Sequence, residues 1–204
     1  YFPEPDLTPV TITAEMLDRA RAALPELPSA RAERFAAAGL PAESARMLGF
    51  RTELGDFYEA ALDHGPDPVQ LANWTTNELV ARLDVDADPS SSKVTPVALA
   101  SLVRLIADGA ITGAAGRKVL DQLVASGGDP AEIVEAEGLG AVGGEDTLAP
   151  IVAAALEANP DVAEKLRTGD MKPIGVIVGF VMKETKGRAD GGEVTKLVRA
   201  QLGL

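Results

Sequence analysis

The sequence predicts an all-α fold, and three observations predict it. Apolar residues recur at helical spacing in nearly every segment. Caps, prolines and glycines mark where the segments start and stop. No alternating strand pattern follows residue 12.

The segments can be read in chain order. TPVTIT at residues 8–13 suits a short strand or an extended lead. Thr13 can cap a helix running to about Leu24, with Glu15 in the first turn where it complements the dipole, and Pro25 and Pro28 end it. Ser29 can start a short helix that Gly39 closes, and Pro41 suits the first turn of the next. Leu54, Phe57, Tyr58, Ala61 and Leu62 make one apolar stripe, stopped by Gly65 and Pro66. Asp67-Pro68 reads as an N-cap followed by a first-turn proline, opening a helix with Leu71, Trp74, Val80 and Leu83. Residues 84–94 are acidic and Ser-rich without periodicity, and read as an exposed loop.

Thr95-Pro96 repeats the cap-plus-proline device ahead of Leu99, Leu102, Val103 and Ile106. Ala115, Val119 and Leu123 mark a helix that ends at Gly127-Gly128, and Asp129-Pro130 opens a short one through Ile133 and Val134. The Gly-rich stretch from Gly138 to Gly144 predicts a boundary near residue 140. Beyond it come a stripe from Leu148 to Leu156, a break at Asn159-Pro160 and a short helix through Val162 and Leu166. Pro173 opens an apolar helix to about Lys186, and a last helix carries Val194, Leu197, Val198 and Leu202. The expected architecture is a helical unit over residues 13–140 and a small unit of three to four helices over 141–204.

Composition excludes several classes of function. There is no cysteine and one histidine, which removes thiolate metal sites and the usual transition-metal ligand sets. His64 lies at a predicted helix end, where capping explains it better than catalysis. Asp84, Asp86 and Asp88 alternate as in a calcium loop, but Pro89 and Thr95 stand where the EF-hand needs Gly and Glu. The glycines at 138–144 lack the Lys-Ser/Thr ending of a phosphate loop. We therefore expect no catalytic residue, metal or cofactor within the chain. Trp74 reads as core. No apolar run reaches the length of a membrane span, and the opening residues do not form a signal peptide. The chain opens without Met and reads as the cut end of a longer one.

Charge is unevenly spread. The net charge is -12, yet residues 165–204 hold 8 Lys/Arg against 4 Asp/Glu, while residues 1–140 hold 11 against 22. A basic end on an acidic body suits contact with a polyanion. Lys183 and Lys186 are three apart near a predicted helix end and share a face, Arg188 follows in the turn, and Lys196 and Arg199 are three apart on the last helix. These five can meet backbone phosphates, giving affinity with little sequence specificity, and cations complementing helix ends are the plainer reading. Gly175 and Gly179 form GxxxG, which would let another helix approach closely.

At these residues the sequence resembles a family. YFPEPDL at Tyr1–Leu7, LPELPSARAERF at Leu24–Phe35, LANWTTNEL at Leu71–Leu79, GDPAEIVEAEGL at Gly128–Leu139 and IGVIVGFVMKETKGRA at Ile174–Ala189 are similar, in order, to the C-terminal part of amidotransferase B subunits (GatB). The last motif is shared with YqeY-like proteins. Phe180 stands where Gln is common, and Asp190-Gly191 where Asn-Pro is common. The resemblance implies that residues 1–12 end a catalytic cradle domain, followed by a helical domain and a YqeY-like tail. It implies a cytoplasmic protein working with the glutaminase (GatA) and the small tethering protein (GatC) of the amidotransferase. The intact enzyme would convert Glu on tRNA(Gln), or Asp on tRNA(Asn), to the amide, with ATP and Mg held in the cradle domain and ammonia drawn from glutamine. The C-terminal region would grip the tRNA body. The competing expectation is a protein-interaction module that docks partner subunits or an aminoacyl-tRNA synthetase.

Overall fold

A computed structural model describes Asp6, residues 11–83 and residues 88–204. The rest of YFPEPDL, the opening of TPVTIT, and Asp84 and Asp86 lie outside these residues. Twelve helices follow one another: α1 Ala14–Ala22, α2 Pro28–Ala37, α3 Ala42–Phe50, α4 Thr52–Leu62, α5 Pro68–Asn73, α6 Pro96–Ala107, α7 Gly113–Ser126, α8 Pro130–Glu137, α9 Glu145–Ala158, α10 Pro160–Arg167, α11 Ile174–Glu184 and α12 Gly191–Leu202. No strand occurs among the described residues, so the fold is all-α as the periodicity requires.

Local chemistry sets most of the starts. The side chains of Thr13, Asp67, Thr95, Thr112, Asp129 and Asp190 each accept a first-turn backbone N–H. Asp190 accepts from Glu193 N at 2.8 Å. Asp190 is therefore an effective cap for α12. Three boundaries differ from expectation. α2 starts at Pro28, which takes the first turn, and not at Ser29. α11 stops at Glu184, before Lys186. The loop at 84–94 contains a short 3₁₀ turn at Pro89–Ser91, capped by Asp88, with Pro89 buried.

The helix predicted through Trp74 is not uniform. Trp74–Leu79 is a π-helical turn and Val80–Arg82 a 3₁₀ turn. The hydroxyls of Thr75 and Thr76 donate to the Leu71 and Ala72 carbonyls, both at 2.8 Å. Hydroxyl donors compete with the backbone ladder at this point and accompany its widening. Trp74 itself is half-buried against the core.

Apolar burial falls into two clusters. One runs from Phe35 to Leu139 and includes Leu48, Leu54, Leu71, Leu79, Leu99, Leu102, Leu120 and Leu123. The other runs from Leu148 to Val198 and includes Val152, Leu166, Ile177, Val181 and Val194. Between them, Ala141 N donates to Ala110 O (2.8 Å), Val142 N to Arg188 O (2.9 Å) and Thr112 Oγ1 to Gly187 O (3.0 Å). These bonds fix the connection at the place that positions the basic residues.

One charged group is built into the first cluster. Arg31 is buried and pairs with Asp56 at 2.6 Å and with Glu59, while Arg34 reaches Glu59 at 2.7 Å and Glu26 at 2.6 Å. Burial works against the Arg31 charge, but the hydrogen bonds and charges of Asp56 and Glu59 outweigh it and hold its pKa above the ordinary value. Burial also pushes the neighbouring Tyr58 phenol up to about 12, so it stays a neutral donor to Pro68 O at 3.1 Å.

Candidate nucleic-acid interface

α11 carries a surface with two exposed glycines. It packs on α9 and α12 through Ile177 and Val181, which are fully buried. Gly175, Gly179 and Lys183 follow one another at i, i+4 and i+8, and all three are exposed. A Cβ added at Gly175 or Gly179 would meet nothing within 4 Å. The expected close approach of another helix is therefore absent. The helix already buries its other face, and the glycines leave bare backbone facing outward. Val176, 49% exposed, flanks this ledge, and Lys183 stands at its C-terminal end. Phe180 does not lie on the ledge. It is half-buried against the second cluster, beside Pro150, Ile151 and Ala154.

The end of α11 is closed by a Schellman arrangement. Gly187 N donates to Met182 O at 2.7 Å and Lys186 N to Lys183 O at 3.1 Å. Lys186 thus occupies the left-handed position normally given to Gly, with φ 54°. Lys183 and Lys186 do not share a helix face, because the chain has left the helix between them. Buried Thr185 braces the turn: its hydroxyl donates to Val181 O at 2.8 Å and accepts from Ala189 N at 3.4 Å. We predict that Lys186→Gly raises stability to urea by roughly 0.5–1 kcal/mol, since the left-handed backbone no longer carries a Cβ. No gain would mean that the lysine side chain repays the strain through its own contacts.

Arg188 is pinned rather than free. Its Nε donates to Thr185 O at 3.1 Å and its Nη1 to Gly138 O at 3.4 Å, across the connection between the two clusters. Arg188 and Lys186 line a cleft of about 480 Å³ with Lys118 of α7, Glu137, Gly138 and Leu139. The Glu137 carboxylate accepts from the Gln122 amide. Three cations and one carboxylate line that cleft. Lys118 was not legible as a site residue, because it lies in the acidic part of the chain and only folding brings it to the tail.

The other two cations lie elsewhere. Lys196 on α12 lines a separate cleft of about 550 Å³ with Asp190, Glu193, Thr112 and Gly143. Arg199 is exposed in the last turn of α12. The structure therefore groups Lys183, Lys186 and Arg188 around the end of α11. It places Lys196 among carboxylates and leaves Arg199 on the terminal helix. Among the described residues, no group of three or more His, Asp or Glu is arranged to hold a metal, and no helix is long and apolar enough to cross a membrane.

Comparison with known proteins gives a consistent answer. Residues 56–202 match the family described as GatB domain, GatB_Yqey. In Solidesulfovibrio magneticus, the protein called the B subunit of aspartyl/glutamyl-tRNA(Asn/Gln) amidotransferase is 42% identical over 100% of this chain and 43% of its own length. Proteins of the same name are 39% identical in Geobacillus kaustophilus, over 100% of this chain, and 37% identical in Enterococcus faecalis, over 99% of it. Each is likewise covered over 43% of its length, so the chain spans less than half of these relatives and is similar to their C-terminal part.

Proposed function

The chain belongs to the GatB family, and from that premise we propose that it is the tRNA-gripping C-terminal region of an amidotransferase B subunit. Residues 13–140 serve as a helical arm and 141–204 as a YqeY-like tail. The observation that carries this reading is the open glycine ledge of α11 ending in Lys183, with Lys186 and Arg188 beside it. Bare backbone next to cations suits a sugar-phosphate chain, which is read by shape and charge more than by base edges. Lys196 and Arg199 add contacts along α12, and Lys118 extends the surface onto the arm.

Activation of the misacylated carboxylate with ATP and Mg, and amide formation with ammonia from the glutaminase, belong in this reading to the N-terminal part that the relatives carry. The small tethering protein completes the assembly. The arm and tail hold the body of tRNA(Gln) or tRNA(Asn) while its acceptor end reaches that part.

The test is a titration of the chain, and of a version ending at Leu139, with transcripts of tRNA(Gln), tRNA(Asn) and an unrelated tRNA. With about four phosphate contacts, affinity should fall roughly a hundredfold between ~50 and ~200 mM salt, and it should disappear with the tail. Binding that survives loss of the tail, or an absence of binding at low salt, would turn the reading toward a docking module.

A further inference from the structure

We propose that α1 and the Arg31 cleft form the docking surface for the N-terminal part that amidotransferase B subunits carry ahead of the matched region. α1 is the first observation. None of its nine residues is buried, and a helix this short is not stable alone in water. Met16 and Leu17, 42% and 45% exposed, share a face with Ala20. Ile12 just before the helix and Leu24 just after it are 66% and 72% exposed. Leu27 at the start of α2 and Phe50 at the end of α3 are also exposed. The start of α2 and the end of α3 pack closely there, since a Cβ on Gly49 would sit 2.8 Å from Pro28 O. Single exposed apolar residues are ordinary, but a series of them along one short stretch of chain, residues 12–27, marks a surface that something covers.

The second observation is polar and independent. Arg31 is 8% exposed, and its Nε–H finds no acceptor among the described residues. It lines a cleft of about 480 Å³ with Pro25, Glu26, Gly49 and Thr52, next to Leu24, Leu27 and Phe50 in sequence. A buried donor of this kind calls for an oxygen from whatever closes the cleft, such as a backbone carbonyl or a side-chain amide.

Two facts identify the occupant. The relatives are matched over only 43% of their length, in their C-terminal part, so each has a large N-terminal part joined just ahead of the position of α1. Covalent connection keeps that part at high effective concentration beside α1. A second copy of the chain is disfavoured by its net charge of -12, which makes like surfaces repel.

The experiment compares amide hydrogen exchange of residues 14–22 in the 204-residue chain and in the longer polypeptide in which an N-terminal part like that of the relatives precedes it. The amides should exchange freely in the former and be slowed at least roughly tenfold in the latter. The double substitution Met16→Lys/Leu17→Lys should abolish that slowing and lower the melting temperature of the long polypeptide, while leaving the 204-residue chain unchanged. Equal exchange in both forms would overturn the proposal. So would protection that rises with concentration of the shorter chain, which would mean self-association. So would protection that appears in the long polypeptide only when the other proteins of the complex are added, which would mean that one of them occupies the face.

Discussion

Gly55→Ala should destabilise the first cluster by at least about 3 kcal/mol, the largest loss expected of any single methyl group in this chain. A Cβ at Gly55 would run into the Leu48 carbonyl and lie 2.8 Å from Cζ of Arg31. The carbonyl is backbone and cannot step aside. The guanidinium is held between Asp56 and Glu59, so moving it breaks a buried pair. Two costs therefore add: overpacking between α3 and α4, and displacement of a buried charge from its partners. Trp74 is the only tryptophan and is half-buried in that cluster, so its fluorescence follows the relevant transition in urea. Gly113→Ala is the control, because a Cβ there meets nothing within 4 Å and the residue opens α7. It should be neutral or stabilising by a few tenths of a kcal/mol. A Gly55→Ala protein as stable as the control would mean that α3 and α4 separate readily, and that Arg31 is not a fixed part of the packing.

The same region shows which features can be read from sequence. Caps were legible because each needs only a few adjacent residues. Asp67-Pro68, Thr95-Pro96 and Asp129-Pro130 all start helices where local chemistry dictates. The apolar stripe from Leu54 to Ala61 was legible because its period is fixed by the helix, and these residues are buried. The burial of Arg31 was not, since its partners lie 25 and 28 residues away and the opening at Gly55 is visible only once α3 and α4 meet. The π turn at Trp74–Leu79 escaped for a different reason. Two adjacent threonines donating back to carbonyls shift a helix without altering its apolar period.

At the candidate interface the split is similar. Exposure of Lys183, Lys196 and Arg199 follows from their placement opposite buried valines and leucines on their own helices. The left-handed backbone at Lys186 does not follow, because lysine has no preference for it and the following Gly187 is the residue that looks suited to the turn. Nor does the meeting of Lys118 with Arg188, which depends on the backbone bonds joining the two clusters. The glycine pair was visible as a motif, but its meaning reversed: it leaves a surface open and holds no helix.

That reversal gives the second large prediction. Gly175→Leu/Gly179→Leu should raise the stability of the chain by roughly 1–2 kcal/mol and lower its affinity for tRNA at least ~tenfold. A glycine in an exposed helix interior, where Gly179 sits, costs up to about 1 kcal/mol relative to a good helix former, Gly175 in the first turn costs less, and a Cβ added at either position meets no neighbour within 4 Å. The folded chain thus gains from filling these positions, which makes the glycines costly to stability in the form the structure shows. If the sugar-phosphate chain of tRNA lies against the bare backbone, two leucines hold it away from Lys183 by the thickness of a side chain. Holding the phosphates off Lys183 removes that contact, so the salt dependence flattens by about one contact while the remaining cations keep the rest of the slope. Lys183→Ala should likewise weaken binding and flatten the salt dependence by about one contact, but without raising the stability of the chain. Circular dichroism in urea and tRNA titration at several salt concentrations read both effects on the same preparations. A stabilised protein that binds tRNA as tightly as before would place the contact off the ledge, and the cleft of Lys118, Lys186 and Arg188 would then be the surface to vary.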